Sequence, residues 1–314
     1  MPGRPKDPAP AGLSHNAAMT AYGTDQASAI AAQGAGEAPA RTAGAVARVA
    51  AVQMVSGTRV EDNLRAAEAL IAQAAGQGAQ LVVLPEYFCL MGRRDGDKVA
   101  VREADGQGPI QSFLEQQARA HRIWLVGGTL PLAAPRPDHV YNAVLVYDPA
   151  GRRMARYDKI HLFSFRHGDE NYDEARTITP GNEAVALDCA IGPLVLRIGL
   201  SVCYDLRFPE LFRRLAGSDL LLVPAAFTAT TGRAHWETLL RSRAIENLCY
   251  VLASAQGGQH ENGRATFGHS MLIDPWGEVV TRIETGPGVI VGDVDPARIA
   301  RCRASLPALA HRVL

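Results

Sequence analysis

Residues 196–210 read Leu196-Arg-Ile-Gly-Leu-Ser-Val-Cys203-Tyr-Asp-Leu-Arg-Phe-Pro-Glu210. Leu196, Ile198, Leu200 and Val202 alternate as the buried face of a strand does, and from Phe208 the spacing Phe208, Leu211, Phe212, Leu215 turns helical. A strand running into a helix is the unit of an α/β fold in which helices cover the strands. Cys203 stands where the apolar alternation stops. A thiol there is carried by a rigid element, and the backbone N–H groups after it can face developing negative charge. Free cysteine is also among the most buried residue types, so this stretch alone fits a nucleophile and a packed structural thiol equally well.

The same strand and helix signals recur on both sides. Arg48–Met54 reads as a strand and is followed by a helix from Asp62 with Leu64, Ala67, Leu70, Ile71 and Ala74 on one face. Leu81–Leu84 is a short, wholly apolar strand ending at Pro85-Glu86. A helix over 109–121 leads to the strand Ile123–Gly128. Asp148-Pro-Ala-Gly151 predicts a hairpin between 140–147 and 152–163. Leu220–Ala226 and Tyr250–Ala255 are further apolar strands flanking a helix over 234–248, and a second hairpin spans Met271–Val280. Strands apolar on both faces, alternating with helices, imply sheets covered by helices. With no internal repeat, a single domain is expected over 46–314.

Residues 1–45 differ: rich in Ala, Gly and Pro, with few large aliphatics, they read as a disordered leader. They lack the apolar stretch of a secretory signal. The formal net charge is zero, which removes any global electrostatic case for nucleic acid or an acidic membrane surface. No run approaches a membrane span. The five cysteines are an odd number without Cys-x-x-Cys spacing, which fits a reducing cytoplasm and no zinc site. Cys89, Cys189, Cys249 and Cys302 read as inert thiols.

A cysteine nucleophile needs a base or a nearby positive charge. Glu86 directly follows a buried strand; such a glutamate ordinarily reaches solvent, but a buried one can serve as general base. Lys159, in Tyr157-Asp-Lys-Ile-His-Leu-Phe163, reads as a snorkelling lysine on a hairpin arm or as an ammonium that stabilises an oxyanion. His161, His235 and His269 offer rival bases of the Cys–His type. Spacing does not choose between these partners.

Taken together and in order, Leu-Pro-Glu86-Tyr-Phe, Asp-Lys159-Ile-His-Leu-Phe and Val-Cys203-Tyr-Asp-Leu-Arg-Phe-Pro-Glu resemble the nitrilase superfamily of carbon–nitrogen hydrolases, from about residue 48 to the C-terminus. The resemblance implies a four-layer α-β-β-α sandwich, assembled as a homodimer or larger, working without metal or organic cofactor. It implies Glu86 as general base, Lys159 as oxyanion-stabilising cation and Cys203 as nucleophile. Glu174 matches the family's second active-site glutamate, with Glu170 the neighbouring alternative. Pro224-Ala-Ala-Phe227-Thr228, Gly232-Arg-Ala-His235-Trp236-Glu237, Arg243-Ala-Ile-Glu246, Gly268-His-Ser-Met271 and Asp274-Pro-Trp-Gly277 look like the Nit branch, whose amidases act on deaminated glutathione or, as ω-amidases, on α-ketoglutaramate. Arg264–Met271 looks closer to the deaminated-glutathione group, while Arg233 replaces a proline common in the branch.

The resemblance thus implies a cytoplasmic amidase that cleaves a small carboxylate-bearing amide to acid and ammonia. The Tyr204 N–H would complete the oxyanion site, Phe227 and Thr228 would line it, and Arg207 and Arg233 would pair with substrate carboxylates as guanidinium does. A structural pairing of Arg207 with Asp205 or Glu210 competes with that role. The alternatives are a true nitrilase or N-carbamoyl amide hydrolase using the same triad, and a catalytically silent interaction protein.

Overall fold

Along the strand Ala47–Gln53, Ala47, Val49 and Ala51 enter one hydrophobic core while Ala50 and Val52 enter another. The same split separates Leu81 and Val83 from Val82, Trp124 and Val126 from Leu125, and Val144 and Val146 from Ala143 and Leu145. Successive side chains on a strand point to opposite faces, so strands apolar at every position are buried on both. The computed structural model in which this is seen describes residues 44–168 and 170–313. The leader expected over 1–45 lies, apart from Gly44 and Ala45, outside the described residues.

One core lies beneath the helices Val60–Gly76 and Pro109–His121, which contribute Ala67, Ile71, Leu114 and Ala118. The other joins this sheet to a second one through residues such as Leu196, Ile198, Leu222 and Leu252. The helix Ala229–Asn247 packs on the second sheet with Trp236, Leu240 and Ala244. The layers are therefore helix, sheet, sheet, helix, the α/β sandwich that the resemblance implied.

Among the described residues the first sheet has seven strands and the second six. In the first, Ala47–Gln53, Leu81–Val83 and Trp124–Val126 run parallel; in the second, Leu194–Leu200, Leu220–Ala225 and Tyr250–Ala255 do. A parallel bridge between Met54 and Gln256 aligns the strand ends of the two sheets. Glu86, Cys203 and Phe227 each follow the carboxyl end of a parallel strand, the edge at which open α/β sheets bind ligands.

The structure departs from the sequence reading in places. Cys203 opens a five-residue 3-10 helix, Cys203–Arg207, before the α-helix Pro209–Arg214 begins. The helix expected over 234–248 starts at Ala229, because the Thr228 hydroxyl caps it by accepting from the Thr231 N–H. The hairpin arm expected to reach residue 163 ends at Asp158, where the chain leaves the sheet to carry Lys159 inward. The strands Ala186–Ile191 and Gly288–Val294 had no strong alternation and were not anticipated; the latter pairs antiparallel with Ala47–Gln53.

Candidate active site

Glu86 sits three residues beyond the strand Leu81–Val83 and is 1% exposed. Its Oε1 accepts from Lys159 Nζ at 2.9 Å and from Asn142 Nδ2 at 3.0 Å, and its Oε2 accepts from the Ala226 N–H at 2.9 Å. The loop lies close against neighbouring backbone. Gly128, at φ +53°, passes so near that a Cβ there would come within 2.1 Å of the Pro85 carbonyl oxygen.

Lys159 is wholly buried, and its ammonium donates to Glu86 and to both oxygens of Glu174, at 2.9 and 2.8 Å. Burial works to lower the lysine, but the charges of Glu174 and Glu86 outweigh it and hold the ammonium above its ordinary value. Glu174 also accepts from the Phe163 N–H at 2.7 Å and the Tyr87 hydroxyl at 2.7 Å. Burial would raise its carboxyl, yet the Lys159 ammonium and these donors keep it below the usual carboxylate range. Glu170 lies apart, accepting from the Thr230 hydroxyl.

Cys203 is 7% exposed and adopts φ +50°, a left-handed backbone that costs a side-chain-bearing residue about 1–3 kcal/mol. Asp205 fixes that turn: its carboxylate accepts from the Val202 N–H at 2.8 Å, the Tyr157 hydroxyl at 2.6 Å and the His161 N–H at 3.0 Å. Burial pushes the Cys203 thiol well up, the Glu86 charge pushes further, and Lys159 opposes both.

Cys203, Glu86, Glu174, Tyr204, Phe227 and Thr228 line one small pocket of about 10 Å³, room for a single water-sized group. Phe163, Glu174 and Arg264 belong both to this pocket and to an outer chamber of about 540 Å³. Tyr204 lies in the first turn of the 3-10 helix, where backbone donors lack partners within the helix.

Arg207 and Arg233 are not brought to either space. Arg207 lies over the rings of Tyr204 and Phe227 and contacts His235 at 3.3 Å, instead of pairing with Asp205 or Glu210. Arg233 is exposed on its helix. Of the histidines, His161 is held by Asp205 at 2.7 Å and stacked on Phe208, His235 is exposed, and His269 stacks on Phe267. Among the described residues, no histidine lines the Cys203 pocket.

Four partners of this cluster escaped the sequence reading. Asn142, Tyr87 and Asp205 are single polar residues that only their neighbours make significant. Gln256 is the fourth: it donates to the Glu86 carbonyl at 3.0 Å and accepts from the Ser56 N–H at 3.0 Å. Its position directly after an apolar strand, like that of Glu86, was the available signal. Cys89, Cys189, Cys249 and Cys302 are all free and buried. Burial pushes the Cys189 and Cys249 thiols up to about 12. Among the described residues, no three His, Cys, Asp or Glu side chains gather as metal ligands.

Comparison with known proteins adds to this geometry. A family model described as carbon-nitrogen hydrolase matches residues 48–304. The deaminated glutathione amidase of Synechocystis sp. is 42% identical over 270 residues, covering 84% of this chain and 97% of that protein. Among solved structures, Saccharomyces cerevisiae Nit3 superposes with a TM-score of 0.76 at 30% identity, over 86% of this chain and 97% of that one. The Caenorhabditis elegans NitFhit protein superposes with a TM-score of 0.75 at 37% identity, over 85% of this chain and 65% of the fusion protein.

Proposed function

This chain belongs to the carbon–nitrogen hydrolase family, and from that premise we propose that Cys203 is the nucleophile of an amidase whose substrate is deaminated glutathione. The observation that carries the chemistry is the buried Glu86–Lys159–Glu174 cluster beside the Cys203 thiol. In this reading the Glu86 carboxylate accepts the Sγ proton as the sulfur bonds to the amide carbon, and the carbonyl electron pair moves onto oxygen. That oxyanion lies between the Lys159 ammonium and the Tyr204 N–H. As the intermediate collapses, Glu86 returns the proton to the departing nitrogen and a thioester remains. A water then gives a proton to Glu86 while its oxygen attacks the thioester, and Cys203 leaves as the thiol with that proton. Glu174 holds Lys159 in place and lines the space where the water stands.

The substrate choice revises one expectation. Deaminated glutathione is a secondary amide: glutathione with its α-amino group replaced by a carbonyl. Cleaving it frees cysteinylglycine, not ammonia, alongside a 2-oxo dicarboxylic acid. An outer chamber of about 540 Å³ suits a dipeptide leaving group, whereas ammonia from α-ketoglutaramate needs no such room. The 42% identity to a deaminated glutathione amidase supports the same choice.

The deciding measurement is turnover of deaminated glutathione against α-ketoglutaramate and a nitrile, with release of cysteinylglycine or ammonia as the readout. Deaminated glutathione is expected to give the highest kcat/KM, and Cys203→Ala to abolish both turnover and the thioester adduct seen by mass spectrometry. Turnover that survives Cys203→Ala would sink the thiol mechanism. No helix among the described residues is long and apolar enough to cross a membrane. A cytoplasmic homo-oligomer is part of the same reading, checked by sedimentation equilibrium.

A further inference from the structure

The outer chamber is lined by four cations, Arg93, Arg94, Lys98 and Arg264, and four carboxylates, Asp95, Glu170, Asp173 and Glu174, and its cations divide into two kinds. Arg93 is paired with Glu261 at 2.5 Å, and Arg94 with Asp97 at 3.4 Å. Arg264 and Lys98 have no carboxylate within ion-pair distance among the described residues. Arg264 donates to the Ala226 carbonyl at 3.1 Å and lies 4.9 Å over the Tyr172 ring, while its Nε is buried without a partner. Among the described residues, Lys98 reaches the Thr177 hydroxyl, at 3.4 Å, and the face of Tyr87. Burial lowers Lys98; Glu174 and Asp95 act against that from a distance, and Arg264 adds to it.

A buried guanidinium nitrogen without an acceptor is costly. With no carboxylate holding it, the cavity-lining guanidinium of Arg264 is available to an anion that enters. Arg264 lines both the Cys203 pocket and the chamber, whereas Lys98 lines the chamber. The planar fork of Arg264 suits a carboxylate close to the scissile bond, and the Lys98 ammonium suits a second charge farther out. We propose that Arg264 and Lys98 form a two-point carboxylate site that selects amides bearing one carboxylate on the acyl side and another on the leaving group. Arg264 takes the acyl-side carboxylate and Lys98 takes that of the leaving group. This places substrate recognition on residues that the strand-end motifs do not contain, and it rests on the amidase reading above.

The test compares kcat/KM for deaminated glutathione, for its analogue with the glycine carboxylate amidated, and for a short neutral amide. Arg264→Gln is expected to lower the ratio of deaminated-glutathione to neutral-amide turnover at least tenfold, chiefly through KM, with Arg264→Lys restoring part of it. Lys98→Met is expected to narrow the preference for free over amidated glycine carboxylate by about tenfold. Equal losses on charged and neutral amides would mean that these residues only support the loop, and would overturn the proposal. Calorimetric titration of 2-oxoglutarate, the acyl-side dicarboxylate, into Cys203→Ala protein gives a readout free of turnover. Binding lost on adding Arg264→Gln supports the site; unchanged binding overturns it. Should none of the amides be hydrolysed, the amidase reading falls while the titration still decides whether this carboxylate site exists.

Discussion

Lys159 shows what a buried charge asks of its neighbours. It stands among two carboxylates with almost no solvent. Removing one partner of such a cluster leaves uncompensated charge, so Lys159→Met is expected to cost about 3–5 kcal/mol of stability, read from urea unfolding. A cost below about 1 kcal/mol would mean that water reaches the cluster. Glu174 sets a pH dependence. Its folded carboxyl is held below the ordinary 4.5, so its contribution is present above that value and is lost as pH falls through the folded one. The melting temperature of the wild type should therefore fall more steeply as pH drops below about 4.5 than that of Glu174→Gln. Parallel curves would contradict the linkage.

The loops that carry these side chains are held by close backbone approach. A Cβ at Gly128 would meet the Pro85 carbonyl at 2.1 Å, and one at Gly181 would meet the Asp158 carbonyl at 2.2 Å, next to Glu86 and Lys159 respectively. At Gly128 the positive φ adds strain of about 1–3 kcal/mol for any other residue. Gly128→Ala is expected to displace the Glu86 loop, reducing kcat at least tenfold and lowering the melting temperature. Activity within twofold of wild type would show that the loop moves freely. The elements themselves were largely legible, since the strands Leu81–Val83, Leu220–Ala225 and Tyr250–Ala255 and the helix Pro109–His121 follow their apolar spacing. The 3-10 turn at Cys203 was not, because Asp205 stabilises it through Tyr157, which is distant in sequence.

Across the whole molecule, the two sheets meet along a buried polar seam. Ser254 donates to the Val52 carbonyl at 2.6 Å, Gln53 accepts from Ser270, and Gln256 ties Ser56 and the Glu86 carbonyl to the end of the second sheet. Gln256→Leu would leave the buried Ser56 N–H and Glu86 carbonyl unpaired, at about 1–3 kcal/mol each. Both stability and kcat are expected to fall, measured by urea unfolding and steady-state turnover. A stability loss with kcat unchanged would mean that the seam does not position Glu86.

Periodicity along the chain determined which segments became strands and helices, and the ordered residues Glu86, Lys159 and Cys203 pointed to carbon–nitrogen hydrolysis. Such patterns are local, with repeats of two or about four residues. They carry no record of which strand ends become neighbours. Glu86 and Lys159 are 73 positions apart, and only the sheet order turns a strand-end glutamate and a hairpin lysine into one buried ion cluster. The same holds for the cations. Arg207 and Arg233 lie nearer Cys203 in sequence, but aromatic stacking and solvent take them away from the cavities, while strand order and loop packing bring Arg264 and Lys98 to the chamber. Tertiary structure decided this because a charge's role depends on what surrounds it in space, and the chain specifies those surroundings only once its sheets have stacked.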